Sequence, residues 1–67
     1  MRSETEVRLF YKQYVYRWGK AIVEQNDAAD QYLGAAFAYG RILGRSMKQI
    51  DSDLKRAKRV AERKDAN

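Results

Sequence analysis

Large apolar side chains recur at Val7, Tyr11, Tyr14, Trp18 and Ile22, and nothing else in the chain limits its fold so strongly. Steps of three and four residues put such a row on one face of an α-helix and on no single face of a strand. The row follows directly on Ser3-Glu4-Thr5-Glu6, a capping box. There the Ser3 hydroxyl can accept from the Glu6 amide while the Glu6 carboxylate reaches back to Ser3. Acids in a first turn also suit the positive end of a helix. The pattern predicts a first helix over about residues 4–25. A second row, Leu9, Tyr16 and Val23, repeats every seven residues on the same helix. One small domain needs only one such face, so the second row is a candidate surface for self-association.

Two further helices follow from the punctuation. Gln25-Asn26-Asp27 closes the first helix, with Asn26 suited to the left-handed conformation and Asp27 to capping the next helix. The second helix is expected over about 28–43, with Ala29, Leu33, Ala36, Gly40 and Leu43 inward. Its glycines, Gly34 and Gly40, predict close backbone approach and a tight hairpin with the first helix. Gly44 is the natural stop, and Ser46-Met47-Lys48-Gln49 forms a second capping box. The third helix is expected over about 47–63, with Met47, Ile50, Leu54, Ala57 and Val60 or Ala61 as its apolar stripe and Asp65-Ala66-Asn67 fraying. The competing arrangement runs through Gly44 without a corner and makes one long rod of the second and third helices.

The expected fold is therefore all-α, a helical hairpin plus a third helix, forming a single domain over residues 1–67. Sixty-seven residues without cysteine cannot be stapled by a disulfide, and the absence of histidine removes the usual zinc site. A core of this size supplies only about 3–5 kcal/mol, so a homodimer is expected. No secretory leader is visible in residues 1–10, and the run without charged or amide side chains that includes Gly34 to Gly40 is too short to span a bilayer. The cytoplasm is the expected compartment. The stripe of the third helix offers a membrane surface little to insert, so no membrane partner is expected.

The charge is +5 and lies at one end. Residues 1–44 carry six basic and five acidic side chains, a surplus of one, whereas residues 45–67 carry eight basic and four acidic, a surplus of four. Such an end suits a polyanion: duplex DNA or an acidic protein surface. Enzyme chemistry has little to work with. The common nucleophile–base pairs need His or Cys. Asp51 and Asp53 stand two apart and point to different faces of a helix, and no strand precedes a glycine-rich phosphate loop. Neither a catalytic residue, a metal site, a cofactor nor a small-molecule substrate is expected.

Leu43-Gly44, Arg45, Ser46, Ile50, Ser52, Leu54 and the run Lys55 to Arg59 together resemble the helix-turn-helix of the sigma-factor C-terminal region and related bacterial regulators. In that family Leu-Gly ends one helix, Ser or Thr caps the next, and Ile or Val four residues on anchors it. Gly40 stands here where the family usually has alanine. The resemblance covers Tyr39 to Arg59 and implies a small DNA-binding regulator, of a phage type, with the third helix on the duplex. Lys48, Gln49 and Ser52 would reach base edges, Gln49 having the donor–acceptor pair that suits adenine. Arg45, Lys55, Arg56 and Arg59 would hold phosphates, and Ser46 would cap the helix. Asp51 and Asp53 oppose this reading by placing negative charge on the same helix.

Residues 2–44 also resemble small helical-hairpin proteins of phage and prokaryotic genomes, through Arg2-Ser3-Glu4-Thr5-Glu6-Val7-Arg8, Asn26-Asp27-Ala28-Ala29 and the small-residue helix closing at Leu43-Gly44. That resemblance implies a non-enzymatic scaffold that binds itself or another protein. Its contact residues would come from the first helix: Leu9, Phe10, Tyr14, Tyr16, Arg17, Trp18 and Val23. Tyr, Trp and Arg are the side chains most enriched in interface hot spots.

Overall fold

The computed structural model describes residues 3–66, with side chains through Lys64. Its elements are α1 (Glu4–Val23), α2 (Ala29–Ile42) and α3 (Met47–Ala66), with no strand among the described residues. The three-helix, all-α expectation is met. Arg2 and Asn67, both invoked above, lie outside the described residues.

Each junction is closed by hydrogen bonds that the local sequence supplies. Ser3 Oγ accepts from the Glu6 amide at 3.2 Å, but the returning bond from the Glu6 carboxylate is not made, so half of the first capping box forms. α1 ends two residues earlier than expected. The left-handed residue is Gln25, with φ 57°, not Asn26. The Gln25 amide donates to Ile22 O and the Asn26 amide to Ala21 O, which satisfies two terminal carbonyls. Asn26 then turns forward, its Oδ1 accepting from the Ala28 amide at 2.8 Å. That bond replaces the cap expected from Asp27, and the N-cap residue Ala28 contributes no side-chain bond.

α2 closes in the same way. Gly44 takes φ 78°, its amide donates to Arg41 O, and the Arg45 amide donates to Gly40 O. The chain therefore turns a corner at Gly44, and the continuous rod is excluded. Both bonds of the second capping box form: Gln49 N to Ser46 Oγ at 3.2 Å and Ser46 N to Gln49 Oε1 at 2.9 Å. α3 runs through Ala66 rather than ending at Arg63, so the expected fraying of Asp65 and Ala66 is not seen.

α1 is the central helix. It packs against both α2 and α3, which make few contacts with each other. The α1–α2 seam is aromatic, with Tyr39 stacked on Phe10 and Tyr14 at ring separations of 5.8 and 5.6 Å. Tyr32 tilts against Tyr14. The α1–α3 seam is built from small residues. A Cβ placed on Gly19 would lie 2.9 Å from the backbone C and O of Ala57, so only glycine lets these helices approach so closely. Gly40 faces Ile50 and Tyr11, as its size suggests, but Gly34 faces open space and does not mark close approach.

The buried cluster is Tyr11, Val15, Ala36, Ile50, Leu54 and Ala57, to which all three helices contribute. Ile50 is fully enclosed, a burial that contributes about 1.5–3 kcal/mol. Two residues expected in the core are exposed instead. Ile22 is 36% exposed and Met47 is 67% exposed. Met47 starts α3 at the corner, before the helix meets α1. The result is an elongated body of 39 × 20 × 18 Å.

Candidate nucleic-acid interface

Ile50, Leu54 and Ala57 turn one side of α3 into the core. The opposite side is set by the same periodicity. Lys48, Ser52, Lys55, Arg59 and Arg63 follow one another at steps of four, three, four and four, and all are exposed. Arg56 lies beside this row and is exposed as well. At 1.5 Å per residue the helix offers a rod about 30 Å long. Arg63 was not singled out from sequence, although the four-residue step from Arg59 marks it.

Among the described side chains, one acid of α3 pairs with a member of this row. Asp51 pairs with Lys55 at 3.1 Å, and Glu62 approaches Lys58 at 4.0 Å. Asp53 turns inward. Its Oδ2 accepts a 2.6 Å hydrogen bond from the Tyr11 hydroxyl and lies 3.3 Å from Arg45 Nη1. Burial, the hydrogen bond to Asp53 and the Asp53 charge together hold the Tyr11 hydroxyl well above its ordinary pKa, with Arg45 opposing them. Among the described residues Lys48, Arg56, Arg59 and Arg63 have no carboxylate within ion-pair distance.

The remaining residues of the expected DNA-contacting set have structural duties. Arg45 is half-buried, lies over the Tyr11 ring at 5.3 Å and holds Asp53. Ser46 and the Gln49 carbonyl are occupied by the cap. With its Oε1 held against the Ser46 amide, Gln49 is turned to the cap and not free to present donor and acceptor together to adenine. Ile50 rests against Gly40 of α2 and shares the buried cluster with Tyr11 of α1, and α3 as a whole is held mainly by α1.

The expected partner-binding residues of α1 divide into two groups. Phe10, Tyr14 and Trp18 are half-buried and pack toward α2 or the core, and Arg17 lies over the Tyr14 ring at 5.6 Å. These serve the fold. Leu9 and Tyr16 are 54% and 57% exposed. Val23 is half-buried and lines, with Tyr16, Val60 and Ala61, a concavity of about 450 Å³ between α1 and α3.

No three acidic, His or Cys side chains gather as a metal site among the described residues, and none of their helices is long and apolar enough to cross a membrane. No protein-family model, no curated protein and no solved structure matches the chain.

Proposed function

We propose that this chain is a small, non-enzymatic DNA-binding protein that lays the outward face of α3 on duplex DNA. One observation carries the reading: the exposed row Lys48, Ser52, Lys55, Arg59 and Arg63, with Arg56 beside it, stands opposite the buried stripe, while Asp53 is withdrawn to Tyr11 and Arg45. A single helix admitted to the major groove presents such a row to both phosphate rims. Base reading falls to Lys48 and Ser52. Lys55, Arg56, Arg59 and Arg63 meet phosphates, so much of the affinity is electrostatic. The Gly44 corner supports the geometry by freeing α3 from α2. Titrating a random-sequence duplex into the labelled protein and following backbone amide shifts tests this. Shifts centred on the outer face of α3 and its corner are expected, and shifts gathered on α2 contradict the reading.

A second reading concerns self-association, and the exposure of Leu9 and Tyr16 favours it. The row Leu9, Tyr16 and Val23 meets a second copy and makes a homodimer in the cytoplasm, where two α3 helices address one duplex. The same exposed residues serve a protein-binding scaffold if DNA is not the partner.

A further inference from the structure

The notch between α1 and the Gly44 corner lies outside the α3 row. It is lined by Arg8 and Lys12 of α1, by Leu43, Gly44 and Arg45, and by Gln49 in the first turn of α3, and encloses about 540 Å³. We propose that it seats a phosphate of the DNA backbone flanking the groove that α3 enters. This rests on the DNA-binding reading and adds to it a second element that touches the duplex.

Four observations support the assignment. First, three cations reach the notch from two separate parts of the chain. Arg8 is paired with Glu4 at 3.0 Å and Arg45 with Asp53 at 3.3 Å, whereas Lys12 has no carboxylate within ion-pair distance among the described residues. Lys12 is exposed, and a phosphate would supply the charge it lacks. Second, a Cβ on Gly44 would meet nothing within 4 Å, so the rim is open where a backbone would approach. Third, Gln49 holds its Oε1 against the Ser46 amide, and its NH2 makes no protein hydrogen bond among the described residues. Three cations and an amide NH2 suit an anion with several acceptor oxygens. Fourth, a neighbouring hollow shares Lys12 and Arg45 and includes Arg56, so the basic surface continues from α3 across the corner to α1. Asp53, the acid that lines this second hollow, is already paired with Arg45.

The test uses the full chain and a random-sequence duplex, with affinity measured between about 50 and 200 mM salt. Lys12→Gln is the main variant, Arg8→Gln/Lys12→Gln the stronger one and Arg56→Gln/Arg59→Gln the α3 reference. Lys20→Gln, on the same helix but away from the notch, controls for net charge. All five positions are exposed, and circular dichroism confirms folding. The proposal expects Lys12→Gln to lower the slope of log affinity against log salt by about 1 and the double variant by about 2, with Lys20→Gln unchanged. A wild-type slope in Lys12→Gln, or an equal loss in Lys20→Gln, overturns the notch assignment. If Arg56→Gln/Arg59→Gln still lowers the slope, the α3 reading survives that failure. Absence of duplex binding by the wild type at 50 mM overturns both.

Discussion

Tyr11 Oη donates a 2.6 Å hydrogen bond to Asp53 Oδ2, 42 residues further along the chain, and Arg45 closes on the same oxygen at 3.3 Å. Three parts of the molecule meet there: the central helix, the corner and the helix that carries the basic face. The Tyr11 ring is buried and its hydroxyl is bonded to a carboxylate, the stronger class of hydrogen bond. Tyr11→Phe keeps the ring and removes the bond. It should destabilise the chain by about 1.5 kcal/mol, toward the low end for a charged acceptor because Asp53 is partly exposed. Urea unfolding at pH 7 checks this.

The same pair predicts an alkaline limit. The native state holds the Tyr11 proton above the ordinary pKa of 10.0 that applies to the unfolded chain. Its contribution is therefore complete below pH 10 and declines as pH rises beyond it toward the raised native value. Other tyrosines and lysines titrate in that range, so the informative quantity is a difference. The gap in stability between wild type and Tyr11→Phe should narrow between about pH 10 and 11.5. A gap that stays constant contradicts the assignment.

Glycine to alanine should have opposite signs at two positions. At Gly19 the new methyl would meet the Ala57 backbone at 2.9 Å, which cannot swing aside as a side chain can. Overpacking outweighs the better helix propensity, for a net loss of about 1–2 kcal/mol. At Gly34 the methyl enters open space, and a gain of about 0.5–1 kcal/mol is expected. Parallel urea unfolding of the two variants reads both.

Gly44 holds φ 78° at the corner. Alanine there should cost about 1–2 kcal/mol, because its Cβ crowds the following carbonyl in the left-handed region. Asparagine should cost less, as it tolerates that conformation. Thermal unfolding of the two variants should rank them in that order, and equal melting temperatures would argue against strain at the corner.

The exposed apolar row makes a separate prediction. Leu9→Glu/Tyr16→Glu places two like charges where a second copy would bury them. Sedimentation equilibrium should show the wild type as a dimer and the variant as a monomer of unchanged helicity. A wild type that stays monomeric at high concentration removes the self-association reading.

Much of the fold was legible because it is written locally. Ser3, Gly44 and the Ser46–Gln49 pair mark helix ends within four residues of themselves, and Ile50, Leu54 and Ala57 repeat at helical spacing. What was missed depends on partners far along the chain. Val15 and Gly19 carry the α1–α3 seam, yet a periodicity weighted toward large side chains passes over a glycine and chooses Tyr14, which faces α2, and Trp18, which is only half-buried. Asp53 was legible only as an unfavourable charge on α3. Its partner Tyr11 lies on another helix, and no local signal connects the two. Arg45 was likewise placed among phosphate-contacting residues, since nothing nearby in sequence reveals that Asp53 holds it.

The most direct test of the central claim is the salt dependence of duplex binding. The affinity of the wild type for random duplex DNA should fall with a log–log slope of about −4 or steeper, reflecting at least four to five neutralised phosphates. Lys48→Ala/Lys55→Ala/Arg56→Ala/Arg59→Ala should bind more weakly, with a slope shallower by about 3. Equal slopes in the two proteins, or no binding by the wild type at low salt, would contradict the assignment of the outer face of α3 to DNA.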